Sequence, residues 1–215
     1  MMFCLQRITR LLSLVATPLW RNAGFFAFMY VLGVLVNVIE LPDEPNATLY
    51  GNLWLELLLD LYLVCVVLTL LPLRLRKWVK GVLALLAYVV ATADVFCFWK
   101  FGSPLTPTML LLVGETNSNE AGEFLSTYIN ADVLLSPVGW VLLTALLQAA
   151  TALVLPLLRR RRGQWLSGID KTAGRFRPWL GAMLLPLLLW SAVASWHNKR
   201  EMVTMFSQPT IGGVE

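Results

Sequence analysis

At 215 residues, 58% hydrophobic and only 14% charged, the chain falls well short of the roughly 25% charged residues of a soluble domain and reads as one integral membrane domain. Cys4, Cys65 and Cys97 stand apart with no CxxC pair, which argues against a disulfide framework and a cysteine zinc site. The net charge of +4 matters less than where the charges fall.

Residues 3–20 are apolar with Arg7 and Arg10 interspersed, and Phe3, Ile8, Leu11, Leu12 and Val15 share a helical face. The pattern predicts a cytoplasmic interfacial helix over 1–21, closed by Pro18. Residues 22–197 hold five candidate spans of about 20 apolar residues each. The first runs Ala23–Leu41. It is too long for a secretion signal and has no small-residue cleavage site, so it is a retained helix. A short acidic, proline-rich connection follows at Pro42–Thr48; its Asn46-Ala47-Thr48 triplet matches the glycosylation pattern but carries no weight.

The second span, Leu53–Leu73, contains Glu56 and Asp60, one helical turn apart. Arg74, Arg76, Lys77 and Lys80 form the connection to the third span, Val79–Trp99, which has Asp94 near its end. The fourth span is Val133–Leu158, with Pro137 near its start and Pro156 near its end, stopped by the run Arg159–Arg162. That run reads as an anchor on anionic lipid headgroups rather than a nucleic-acid contact. The fifth is Pro178–Trp196, where Pro186 predicts a bend. With five spans, 14 of the 17 basic residues share one side with a single acid, Asp170. The rule that cytoplasmic loops are basic then puts the N-terminus inside and the C-terminus outside. The polar tail 198–215 reads as a linker toward something outside the membrane. His197 is the only histidine, and one histidine makes neither a catalytic triad of histidines nor a multi-histidine metal site.

Lipid alone explains the apolar runs but not the polar loop 101–132 between spans three and four. Thr106 is a good N-cap with Pro107 at the first helical position, predicting a short helix Pro107–Val113 broken near Gly114. Asn117 with Glu120 three residues on predicts a second start, like a capping box with Asn in the cap, for a helix over about residues 118–129. The junction Gly114-Glu115-Thr116-Asn117 can aim a hydroxyl, a carboxylate and helix N–H groups at one point, or it can simply cap two helices facing water. Glu56, Asp60 and Asp94 are costly in apolar helices and face a protein interior or water. Glu56 and Asp94 fall in the outer half of the membrane and Asp60 nearer its middle; with Glu40, Glu115 and Glu120 they put several carboxylates on the outer side. These either hold a ligand's ammonium or bond to Lys100, backbone and hydroxyls and fix helix packing.

Pro104-Leu105-Thr106-Pro107-Thr108-Met109, followed by Gly114-Glu115-Thr116-Asn117-Ser118-Asn119-Glu120-Ala121, resembles the third outer loop of the phosphoethanolamine transferases. These are bacterial inner-membrane enzymes of the alkaline-phosphatase/sulfatase superfamily. The resemblance implies an all-α membrane domain of five spans leading to a periplasmic catalytic domain. It implies transfer of phosphoethanolamine from phosphatidylethanolamine to lipid A, core sugars or other periplasmic glycans. Thr116 and Glu120 match the family's threonine and glutamate at the lipid headgroup, and Glu115 belongs to the same Glu-Thr step; Leu112 stands where the family often has asparagine. The family's zinc-activated threonine and its zinc ligands have no counterpart here, so the chain is expected to be a truncated form that binds lipid without turnover. Two other readings are a small ion-coupled transporter working through Glu56, Asp60 and Asp94, and an anchor or assembly module with no site.

Overall fold

A computed structural model describes residues 2–40, 53–128, 132–161 and 176–196. The connection Pro42–Thr48, most of the segment between the fourth and fifth expected spans, and the tail from His197 lie outside the described residues. Among the described residues there is no strand. The helices are α1 Met2–Arg21, α2 Ala23–Ile39, α3 Leu53–Leu70, α4 Leu73–Phe101, α5 Pro107–Glu115, α6 Ser118–Tyr128, α7 Asp132–Leu135, α8 Pro137–Arg161 and α9 Phe176–Trp196.

Helices α3, α4 and α9, and the Pro137–Leu155 part of α8, are each long and apolar enough to cross a bilayer. A fifth span results if α1 and α2, separated by a break, count as one. At 17 residues α2 alone sits at the lower limit for a span. Only 11% of the apolar windows of α3, α4 and α8 is buried within the protein, and 22% of that of α9. Leucine, valine and tryptophan side chains therefore point outward along these helices. Helices satisfy their own backbone groups, so such an inside-out distribution fits a hydrocarbon surround.

The chain divides into two compact units. The first holds α1, α3 and α9. Its polar centre is Asn22, 1% exposed. The Asn22 Nδ2 donates to the carbonyls of Pro18 at 2.8 Å and Cys65 at 3.0 Å, and lies 3.1 Å from the Thr69 hydroxyl. Thr69 in turn donates to the Cys65 carbonyl at 2.7 Å. These bonds tie the end of α1 to α3, and Tyr62 adds another by donating to the Val15 carbonyl at 3.0 Å. Pro18 does not close α1, contrary to expectation: the helix continues to Arg21 without the one N–H that proline lacks. The Pro18 carbonyl, left without a helical N–H by the end of the helix, accepts from the Asn22 side chain. On α9, Arg177 Nη2 donates to the Thr17 hydroxyl at 3.0 Å, and the Ser191 hydroxyl donates to the Leu55 carbonyl. Gly181 sits against the backbone carbonyl of Leu12, where any side chain would collide. Helix α9 is unbroken through Pro186.

The second unit is built on α2, α4 and α8, which pack pairwise. Met29 and Leu32 of α2, Ala91 and Val95 of α4, and Val138 and Val141 of α8 are buried. The Tyr88 hydroxyl donates to Gln148 Oε1 at 2.8 Å, joining α4 to α8. Helix α4 is longer than the expected third span. Pro72 occupies its N-cap, so Arg74, Arg76, Lys77 and Lys80 form its opening turns rather than a connection. Lysine and arginine are good helix formers, and nothing after Pro72 interrupts them. The helix ends at Gly102, whose φ of 67° puts it in the left-handed region and whose N–H donates to the Phe98 carbonyl at 2.9 Å.

The expected fourth span is likewise split, into α7 and α8, at Ser136. The Ser136 hydroxyl donates to the Val133 carbonyl at 2.6 Å and accepts from the Val138 N–H at 3.2 Å. It caps α8, whose first position is Pro137. Gly139 lies against the Leu134 carbonyl and leaves no room for a side chain.

Candidate functional site

The loop after α4 is held at its start by Asp94. Its Oδ1 accepts the Leu105 N–H at 2.6 Å, a charge-assisted bond. The carboxyl of Glu40, just past α2, lies beside that of Asp94, and its Oε1 is buried with no hydrogen-bond partner. Two carboxyls so placed hold a proton between them or repel. Nearby rings pack the end of α4: Phe96 meets Trp99 and Phe101 edge-on at 6.4 and 6.5 Å. Phe101 meets Tyr128 of α6 edge-on at 6.1 Å. Lys100 lies 4.1 Å from the centre of the Trp99 ring, a cation–π contact.

Helix α5 starts as its sequence requires: the Thr106 hydroxyl accepts from the Met109 N–H at 3.3 Å, with Pro107 in the first turn. It runs past Gly114 to Glu115, two residues beyond the expected end at Val113. Thr116 is its C-cap, and the Leu112 carbonyl accepts both the Thr116 N–H at 3.0 Å and the Thr116 hydroxyl at 2.7 Å. Helix α6 opens on Asn117. The Asn117 Oδ1 accepts the N–H groups of Asn119 and Glu120, each at 3.0 Å. Asn117 Nδ2 donates to Glu120 Oε1 at 2.9 Å, and the Asn117 N–H reaches Glu120 Oε2 at 3.5 Å. This is the reciprocal capping box expected from the spacing, with asparagine in the cap.

Glu115, Thr116 and Glu120 are all exposed and follow one another across the junction. One part of the expectation is corrected. Two of the N–H groups at the start of α6, those of Asn119 and Glu120, are not open to a ligand, because Asn117 Oδ1 already takes them. The Thr116 proton is also engaged, at the Leu112 carbonyl, so donating to a phosphate requires the side chain to turn away. What remains open is acceptor capacity. A carboxylate offers about four lone-pair sites, and Glu120 uses two of them on Asn117. As built, the junction suits a cation such as an ammonium better than a phosphate.

The other acids named from sequence separate. Asp94 belongs to the second unit with the loop, and serves its first turn. Glu56 and Asp60 lie on α3 in the first unit; Glu56 is partly buried and Asp60 exposed. Sequence reasoning placed Glu40 on the outer side but missed its pairing with Asp94, which is 54 positions away in the chain. Asn22 was missed altogether, although an asparagine at a helix break is a recognisable signal. Among the described residues, no group of three or more His, Cys, Asp or Glu is placed to hold a metal ion.

Comparison with protein-family models, curated proteins and solved structures finds no match.

Proposed function

We propose that this chain is the membrane domain of a phosphoethanolamine transferase, and that the α5–α6 junction holds the ammonium end of phosphatidylethanolamine at the outer leaflet. In this reading the N-terminus is cytoplasmic, α1 lies along the inner interface, and the C-terminus faces the periplasm of a bacterial inner membrane. Zinc, the nucleophilic threonine and the glycan or lipid A acceptor belong to the chemistry of the complete enzyme. The observation that carries the reading is the Glu120 carboxylate: exposed, fixed in direction by Asn117, and with lone pairs to spare. Glu115, one helix end away, adds a second negative charge.

The test is titration of the full chain in micelles with glycerophosphoethanolamine, read by amide shifts at residues 114–120. Glu120→Gln should weaken binding about fivefold, the scale of an exposed ion pair, while glycerophosphoglycerol should leave these amides unmoved. Equal binding by wild type and Glu120→Gln refutes the assignment. The capping geometry favours one other reading, an anchor or assembly module. Thr116, Asn117 and Glu120 each have a partner in their own helix ends, and a module of that kind leaves every amide of the junction unmoved.

A further inference from the structure

Helix α3 has two unlike sides. On one, Tyr62 bonds to α1 and Thr69 meets Asn22 at its end, while Cys65 and Leu68 are 0% and 1% exposed. The Leu55 carbonyl, which accepts from Ser191 of α9, belongs to the same side. At 3.6 residues per turn, Asp60, Leu63, Val67 and Leu70 fall within about 80° of arc on the other side. All four are exposed, Leu63 by 52%, Val67 by 59% and Leu70 by 81%.

Three of these residues suit lipid and one does not. Asp60 lies seven residues after Leu53, where α3 starts, and ten before Leu70, where it ends. At 1.5 Å per residue that is about 10 and 15 Å from the two ends. Lysine or arginine could extend a long stem toward the interface, but aspartate is too short. Among the described residues none bonds to Asp60, whereas Glu56, one turn earlier, is partly buried and has a contact of its own. Arg7, Arg10 and Arg21 lie on α1, which packs on the other side of α3. The apolar runs supply no substitute: residues 23–73, 81–99, 133–158 and 178–196 contain no lysine, arginine or histidine. A carboxyl at this depth is costly unless it meets a cation or a hydrogen-bond partner.

We infer that the Asp60–Leu70 face of α3 is the docking surface for a transmembrane helix of another protein, one that carries a single lysine or arginine about halfway along an otherwise apolar span. Charge complementarity selects the occupant. The acid needs a cation at its own depth, and Leu63, Val67 and Leu70 need an apolar surface beside it. A soluble cation would leave the three apolar side chains uncovered. A wholly apolar helix would bury Asp60 with no counter-charge, and the spans of a second copy bring no cation either. Polar side chains between membrane helices act as such links, because lipid offers them no competing partner.

The test places the full chain in phosphatidylcholine vesicles with a peptide helix of about 20 leucines and alanines carrying one central arginine. Energy transfer between labels on chain and peptide reads association. The arginine peptide should associate about tenfold more strongly than its all-apolar counterpart, the scale of a polar contact between membrane helices. Asp60→Leu should erase that difference and Asp60→Glu should keep it, while Asp60→Lys should favour a peptide with a central aspartate instead. Leu63→Trp, which obstructs the face and leaves the acid in place, should also weaken association of the arginine peptide. Helical circular dichroism checks that each variant folds, and Leu63→Trp decides the matter should the Asp60 variants not fold. Equal association of the arginine and apolar peptides overturns the proposal, as does association of the arginine peptide unaffected by Asp60→Leu or by Leu63→Trp. So does self-association of two differently labelled copies that Asp60→Leu abolishes, which would make a second copy the occupant. Asp60 lies in the first unit and Glu120 in the second, so failure of either reading leaves the other standing.

Discussion

Replacing Asp94 with alanine removes the acceptor that fixes the first residues of the loop. The structure offers the Leu105 N–H one partner, Asp94 Oδ1 at 2.6 Å, in a part-buried setting. A hydrogen bond to a charged group contributes about 1.5–3 kcal/mol, and an abandoned buried donor costs a similar amount. Against this, Asp94→Ala relieves the crowding of two carboxyls, since Glu40 faces Asp94. The relief acts on Glu40 and does nothing for the Leu105 N–H, so the two effects separate by position. Amide hydrogen exchange of the full chain in micelles reads them apart. The Leu105 amide should exchange about 10- to 150-fold faster in Asp94→Ala, the equivalent of 1.5–3 kcal/mol. The Gly102 amide, bonded to the Phe98 carbonyl at 2.9 Å, should be unchanged. Asp94→Asn should behave in the opposite way. Its Oδ1 still accepts from Leu105 while its amide donates to Glu40, so protection at Leu105 persists and thermal stability rises or holds. Leu105 exchange within twofold of wild type in Asp94→Ala would refute the reasoning, as would a destabilised Asp94→Asn.

Four further outcomes are expected. Asn117→Ala removes the acceptor of the Asn119 and Glu120 N–H groups and should destabilise α6 by about 1 kcal/mol, within the 0.5–2 range for helix caps, read as faster exchange of those two amides. Gly181→Ala should destabilise by about 1–3 kcal/mol, the scale of an overpacked contact, because its Cβ would strike the Leu12 carbonyl. Gly24→Ala, where nothing lies within 4 Å, should be neutral or slightly stabilising; thermal denaturation of the full chain in micelles reads both glycine variants. Asn22→Asp exchanges a donor for an acceptor facing the Pro18 and Cys65 carbonyls. It should lower the melting temperature more than Asn22→Ala does, and equal shifts would contradict the bonding pattern described.

The loop's local structure was legible because it is written in short-range chemistry. Thr106-Pro107 and Asn117 with Glu120 act within one helical turn, so their spacing alone predicts the caps that form. The apolar runs were legible for the same reason: span length is a property of consecutive residues. Boundaries were less so. The basic cluster after Pro72 resembles a connection in composition, but a helix tolerates lysine and arginine readily, and α4 simply begins earlier. Pro18 resembles a stop, yet α1 runs one turn further, to an end that Asn22 ties to α3.

By itself the sequence determined the helical class, the apolar runs, the caps of the loop, and the identity of the polar groups that the loop carries. Only the tertiary structure decided which of those groups are already engaged. Asn117 takes the Asn119 and Glu120 N–H groups at the start of α6, Leu112 takes the Thr116 proton, and Asp94 is spent on Leu105. The reason is geometric: hydrogen-bonding capacity belongs to a residue type, but whether it is free depends on what folding brings within about 3 Å.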